Sequence, residues 1–420
     1  MNAIQNRIAP LILIAAVAIS FNRLRAAESH GTALQPSAPD AVGMDADKLA
    51  KIGPRMRQFV ADKQIAGAVT FVARSGVVVH LEAVGSADIA HDRPMTIDSL
   101  FAIASMTKPI TATAIMILQD EGKLSVDDPV SKYIPQFKDV RLGDHPPARP
   151  ITIRDLMTHT AGISSPNGKG RGAATSLRET AERIAAEPLQ FEPGSKWKYS
   201  DGITVCGAII EAVSGKPYDE FLRERIFEPL KMTDTTFFPD TKARLRLATM
   251  YHRTKDGELE AVERTFSSAD PAQRRTPSPS GGLYSTASDM ARFYQMALGR
   301  LIHSANPLDG QLNGPGSHVV SRAAVEQMTR VQTGEIVTGF TPGNGWGLGW
   351  CIVRQPQGIT RMLSPGTFGH GGAFGTQGWI DPKRELILVL MVQRNDFGNS
   401  DASEVREAFQ QLAVAAVRAE

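Results

Sequence analysis

Two β-rich runs near the front of the chain, Ala68–Ala73 and Val77–Leu81, are joined by Arg74-Ser75-Gly76 and read as a hairpin. Strand-like sequence returns only with Gly347–Val353, Gly378–Ile380 and Leu386–Val392. A lone hairpin is barely stable in water, so the front pair is predicted to join the late strands in one antiparallel sheet. What lies between reads as helices and loops. The chain is therefore predicted to be α+β: an antiparallel sheet flanked by helices, plus a mainly helical lobe, with the site in the cleft between them. Residues 45–122 and 266–420 are assigned to a discontinuous α/β domain, and 123–265 to the helical lobe.

The helices follow from apolar spacing. Asp45 or Asp47 can cap a helix bearing Leu49, Ile52, Met56, Phe59 and Val60. Further helices are predicted over Phe101–Gly122, Ile153–His159, Ile203–Val213, Tyr218–Ile226 and Ser288–Leu298, the last capped by Ser288 and Asp289. A closing helix carries Val405, Phe409, Leu412 and Val417. Gly162–Gly172 is read as a loop with Lys169 and Arg171 on a solvated face, Ser267–Gly282 as a polar connection and His303–Ser317 as a surface loop.

Residues 1–26 read as a secretory signal peptide. Arg7 precedes the apolar run Ile8–Phe21, which is short for a membrane span, and small residues at Ala26 and Ala27 offer a cleavage site. Ala16-Val-Ala18 offers another. Residues 27–44 are a Pro- and Ala-rich linker, and the mature protein is expected to be exported, with no stable membrane span. A net charge of +2 argues against nucleic acid as a partner. No spacing suits a metal site, and no cofactor is expected. Cys206 and Cys351 are far apart in sequence, and nothing there places them together.

The chemistry concentrates at Phe101-Ala-Ile-Ala-Ser105-Met-Thr-Lys108-Pro109. Serine and lysine three apart lie on one helical face, so the ammonium can reach the hydroxyl. A serine is a weak nucleophile until a neighbouring base takes its proton. Pro109 fits an early helical turn. The pair alone is also what an N-cap serine and a solvated lysine would look like.

Two further motifs follow in order: Tyr199-Ser-Asp201 and His370-Gly371-Gly372. The trio Ser105-x-x-Lys108, Tyr199-x-Asp201, His370-Gly-Gly372 resembles the motifs of serine β-lactamases and penicillin-binding proteins. The tyrosine points to the class C branch, which includes family VIII carboxylesterases, D-aminopeptidases and D-alanyl-D-alanine carboxypeptidases. The stretches Glu121–Pro129, Leu156–Gly162 and Ser280–Met290 resemble the same group. The resemblance implies that Ser105 is the acylated nucleophile, that Lys108 shares a proton network with it, and that Tyr199 is the general base. It also implies that the N–H groups of Ser105 and Ala373 form the oxyanion hole, and that Asp201, His370, Gly371 and Gly372 contact the substrate.

Two positions depart from the β-lactam-directed pattern. Asp201 stands where those enzymes carry asparagine, and an ionised aspartate accepts hydrogen bonds but donates none. His370 stands where many carry lysine, and a neutral histidine pairs poorly with a carboxylate. Both make a carboxylesterase on small acyl esters the leading reading. The alternatives are a D-amino-acid peptidase, D-alanyl-D-alanine carboxypeptidase or β-lactamase using the same residues, and a non-catalytic cell-wall-binding relative, against which the intact Ser105, Lys108 and Tyr199 count. No Gly-x-Ser-x-Gly elbow occurs, which disfavours an α/β-hydrolase.

Overall fold

The computed structural model describes residues 34–164, 175–262, 275–302, 319–339, 341–397 and 403–418. The predicted signal peptide, Lys169 and Arg171, and the predicted loop at 303–317 lie outside these residues. The strands are β1 Gln35–Pro36, β2 Gly67–Arg74, β3 Val77–Asp88, β4 Arg93–Pro94, β5 Phe101–Ala102, β6 Tyr251–Arg253, β7 Leu259–Ala261, β8 Tyr284–Ser285, β9 Asn344–Trp346, β10 Cys351–Val353, β11 Phe368–Gly371, β12 Gln377–Asp381 and β13 Leu386–Met391. The α-helices are α1 Ala46–Leu49, α2 Ile52–Ala61, α3 Thr107–Asp120, α4 Ile153–Thr158, α5 Leu177–Ala186, α6 Gly202–Ser214, α7 Tyr218–Leu222, α8 Thr241–Arg244, α9 Ala287–Ile302, α10 Arg322–Thr329 and α11 Glu404–Ala415.

The main sheet runs β1-β3-β2-β13-β12-β11-β10-β9, with β4 on β3. The front hairpin therefore joins the late strands through β2 and β13, antiparallel and in register from Arg74–Leu386 to Val69–Met391. Ser75 and Gly76 turn it at φ 49° and 80°, as a tight two-residue hairpin turn requires. Because successive side chains leave a strand on opposite faces, β13 feeds two cores at once. Ile387, Val389 and Met391 join Val69, Phe71 and Ala73 on one face. Leu386, Leu388 and Leu390 join Ala68 and Val72 on the other. Helix α9 covers the first face, while α2 and α11 pack together over the second. The lobe is built around α6, whose apolar residues meet α3, α4, α5 and α7.

Several local readings change. Phe101–Gly122 is not one helix: β5 and a 3-10 turn at Ala104–Met106 precede α3. The constraint is that β5 pairs with β8 and Ile103 N–H donates to Leu283 O, both far away in sequence. Gly347–Val353 is a turn leading into β10, which pairs back on β9. Helix α9 is capped by Thr286, whose Oγ1 accepts from Asp289 N–H at 3.2 Å, and not by Ser288 or Asp289. Part of the leader is a strand: Gln35–Pro36 adds parallel to β3 at the sheet edge. Residues near the end of the assigned lobe also return to the sheet, since Thr249 N–H donates to Ala87 O and Tyr251 bridges Arg394. Cys206 and Cys351 are buried free thiols.

Candidate active site

Ala104 holds a left-handed backbone, φ 45°, immediately before Ser105. A non-glycine residue pays for that conformation, and such strain clusters at functional turns. Ser105 sits in the 3-10 turn and stays half-buried, while Lys108, in the first turn of α3, is 3% exposed. Lys108 Nζ donates to Ser105 Oγ at 3.0 Å and to Ser280 O at 2.7 Å. Ser280 is itself fixed by a 2.7 Å contact between its hydroxyl and that of Thr204 on α6. The ammonium is thus aimed at the serine by both lobe and loop.

Tyr199 comes in on the segment before α6. Lys108 Nζ lies 4.7 Å from its ring centroid. His370, on β11, faces it with ring centroids 6.2 Å apart. Ser105 and Lys108, Tyr199, and His370 are therefore brought together from three separate chain segments. Gly371 ends β11, and Gly372 follows with its N–H donating to Thr376 O at 2.7 Å. A Cβ on Gly372 would stand 2.5 Å from Ile103 O and 2.1 Å from Thr376 Oγ1. Only glycine lets the end of β11 lie this close to the nucleophile turn. Ala373 is the exposed residue beyond it. Asp201 is buried at the head of α6, where its carbonyl accepts from the N–H groups of Thr204 and Val205.

Sequence reasoning missed the aromatic box around Tyr199. His159 caps α4 with a left-handed backbone, φ 61°, and stacks on the Tyr199 ring at 4.4 Å and 28°. Trp346 packs edge-on to His159, Tyr199 and His370, and Trp197 closes the group. The available signal was the Leu156–Gly162 stretch, already similar to the family.

Both histidines are held neutral. Burial, then the nearby Lys108 charge, then His370 push His159 well below the usual histidine range. Burial first, then Lys108, push His370 down to about 3. Ser200 N–H donates to His159 Nδ1 at 3.1 Å, so the neutral ring carries its proton on Nε2. His370 is the reverse: Nδ1–H donates to Gly371 O at 2.7 Å, leaving Nε2 an acceptor. Neither Nε2 meets a hydrogen-bond partner among the described residues.

A pH dependence follows. Below about 6.5 the unfolded chain takes a proton on His370, while the native state resists until about 3. Protons then favour unfolding, so this contribution is complete above about 6.5 and is lost as the pH falls toward about 3. Wild-type Tm is expected to drop between pH 7.5 and 4.5, and His370→Gln to show a shallower slope. Thermal unfolding of both proteins at the two pH values checks this; equally steep slopes contradict it.

The described residues hold no helix long and apolar enough to cross a membrane. The sequence profile of the beta-lactamase family matches residues 54–413. Protein Rv1367c of Mycobacterium tuberculosis is 34% identical over 364 residues, covering 78% of this chain and 86% of that protein. Esterase EstB of Burkholderia gladioli is 31% identical over 388 residues, covering 84% and 92%. Among solved structures, EstCE1, a hydrolase with promiscuous acyltransferase activity, superposes with a TM-score of 0.72 at 25% identity, covering 89% of this chain and 99% of that one.

Proposed function

Since this chain belongs to the beta-lactamase family, we propose that it is a serine hydrolase that forms an acyl-enzyme on Ser105 and acts after export as a carboxylesterase on small acyl esters. The observation that carries the reading is the 3.0 Å contact between Lys108 Nζ and Ser105 Oγ beside the Tyr199 ring. A hydroxyl, an ammonium and a phenol in one partly desolvated group are what proton transfer from serine needs.

Tyr199, acting as the phenolate, takes the Ser105 proton as Oγ attacks the ester carbonyl carbon. The carbonyl oxygen becomes an oxyanion held by the N–H groups of Ser105 and Ala373. Collapse breaks the bond to the alcohol oxygen, which leaves with the proton from Tyr199. Water then gives its proton to Tyr199 and attacks the acyl carbon, and Ser105 recovers a proton as the acid departs. Lys108 keeps its charge near Tyr199 throughout and favours the phenolate.

Esters are favoured over β-lactams and D-amino-acid peptides by what surrounds the nucleophile. His370 Nε2 is a neutral acceptor, not a cation for a substrate carboxylate. Asp201 supplies carboxylate oxygens where an amide donor would otherwise stand. The name of Esterase EstB agrees with this reading. A panel of p-nitrophenyl esters, nitrocefin and a D-alanyl-D-alanine peptide tests it. The highest kcat/KM is expected on a short ester; a higher value on either amide would overturn the preference. In Asp201→Asn the ratio of nitrocefin to p-nitrophenyl acetate kcat/KM is expected to rise roughly tenfold or more, the scale of one charge-assisted hydrogen bond. An unchanged ratio would remove Asp201 from the account.

A further inference from the structure

The closing helix sends a guanidinium into the site from behind. Arg406, on α11, is 0% exposed, and its neighbours on the helix stripe are Val405 and Phe409. Its Nη2 donates to Gly372 O at 2.7 Å and to Thr376 O at 2.6 Å, and its Nε to Gly375 O at 3.4 Å. These carbonyls belong to the loop that follows β11, and the first has a particular meaning. Gly372 C=O and Ala373 N–H are the two ends of one peptide group.

The described residues contain no cis peptide bond, and in a trans peptide C=O and N–H point in opposite directions. With Gly372 C=O turned inward to Arg406, Ala373 N–H is turned the other way, on the exposed side of the loop. Gly372 itself packs on Ile103 O, two residues before Ser105, so this peptide borders the nucleophile turn. A cationic donor on the carbonyl also polarises the amide and strengthens its N–H as a donor, an effect enlarged by burial. The charge is felt in the site: Arg406 is among the groups that disfavour protonation of His370.

We propose that Arg406 is a positioning residue that sets and polarises the Gly372–Ala373 peptide as an oxyanion donor. The inference rests on the acyl-enzyme reading above. Arg406 touches no substrate; it acts through the peptide it grips. Its guanidinium fork reaches carbonyls of Gly372, Gly375 and Thr376 together, whereas a lysine ammonium is a point donor that cannot reproduce the fork.

The test uses the full mature chain with Arg406→Lys and Arg406→Met, each measured for thermal unfolding, ester kinetics and inhibition by phenylboronic acid. The boronate adds Ser105 Oγ to form a tetrahedral anion that needs the same oxyanion donors. Arg406→Lys is expected to lose about tenfold to a hundredfold in kcat with KM within about twofold, because the donors act on the transition state. Boronate affinity is expected to fall by a similar factor, and Arg406→Met to lose more of both. A folded Arg406→Lys with wild-type kcat overturns the proposal. So does a kcat loss with unchanged boronate affinity, or unfolding of both variants at assay temperature, since Arg406 would then serve the fold alone. Fluorophosphonate labelling of the wild-type protein separates the underlying reading: no adduct on Ser105 sinks that reading, whereas an adduct together with a neutral Arg406→Lys sinks only this inference.

Discussion

Ester hydrolysis by Ser105→Ala is expected to fall at least about ten-thousandfold in kcat, the scale seen when a nucleophile that works as part of a unit is removed. Alanine keeps the Cβ and the strained Ala104–Met106 turn and deletes only the hydroxyl that receives the Lys108 hydrogen bond. KM is expected to move little, because the surrounding box of Tyr199, His159, Trp346 and His370 stays in place. Stability should be close to wild type, since Ser105 is half-buried and Lys108 retains its 2.7 Å bond to Ser280 O. Steady-state kinetics on p-nitrophenyl acetate with circular dichroism of both proteins checks the result. A folded Ser105→Ala with more than about a hundredth of wild-type kcat would contradict it, because a displaced or bystander serine loses far less than that scale.

Tyr199→Phe is expected to lower kcat at least about a hundredfold, the usual scale for losing a general acid or base. Phenylalanine preserves the ring that stacks on His159 at 4.4 Å and lies 4.7 Å from Lys108 Nζ. Only the proton carrier is removed, so the box should hold its shape. The pH profile of kcat/KM should also change form, since the free-enzyme limb that reports the base disappears. A loss under roughly threefold would transfer the base role to Lys108, which already contacts Ser105 directly.

The parts of this molecule that could be seen in the sequence are those encoded locally. The front hairpin was legible because Arg74-Ser75-Gly76 separates two apolar runs, and β13 because a six-residue apolar run is what a strand buried on both faces requires. Ser105, Lys108, Tyr199 and His370 were legible as residue types in a set order, though only the fold shows them meeting. What was hidden depends on partners far along the chain. β1 is two residues, one of them proline, and becomes a strand only by pairing with Val77 and Val78. β9 reads Asn-Gly-Trp, with no alternation to find. The nucleophile helix starts late because β5 is held by β8 across the lobe. His159 looks like an ordinary helix end until Tyr199 stacks on it. Arg406 is a charged residue in an amphipathic helix, and its place in the fold shows only when it meets the carbonyls of Gly372, Gly375 and Thr376, far from it in sequence.

The central claim is that Ser105 is the residue that becomes acylated, and covalent capture reads it most directly. A fluorophosphonate transfers its phosphonyl group to an activated serine oxygen and releases fluoride, which leaves a stable adduct that intact-mass analysis resolves. Wild-type protein is predicted to gain one phosphonyl mass, which peptide mapping places on Ser105, and Ser105→Ala to gain none. Equal labelling of the two proteins, or an adduct mapped to another residue, would contradict the account.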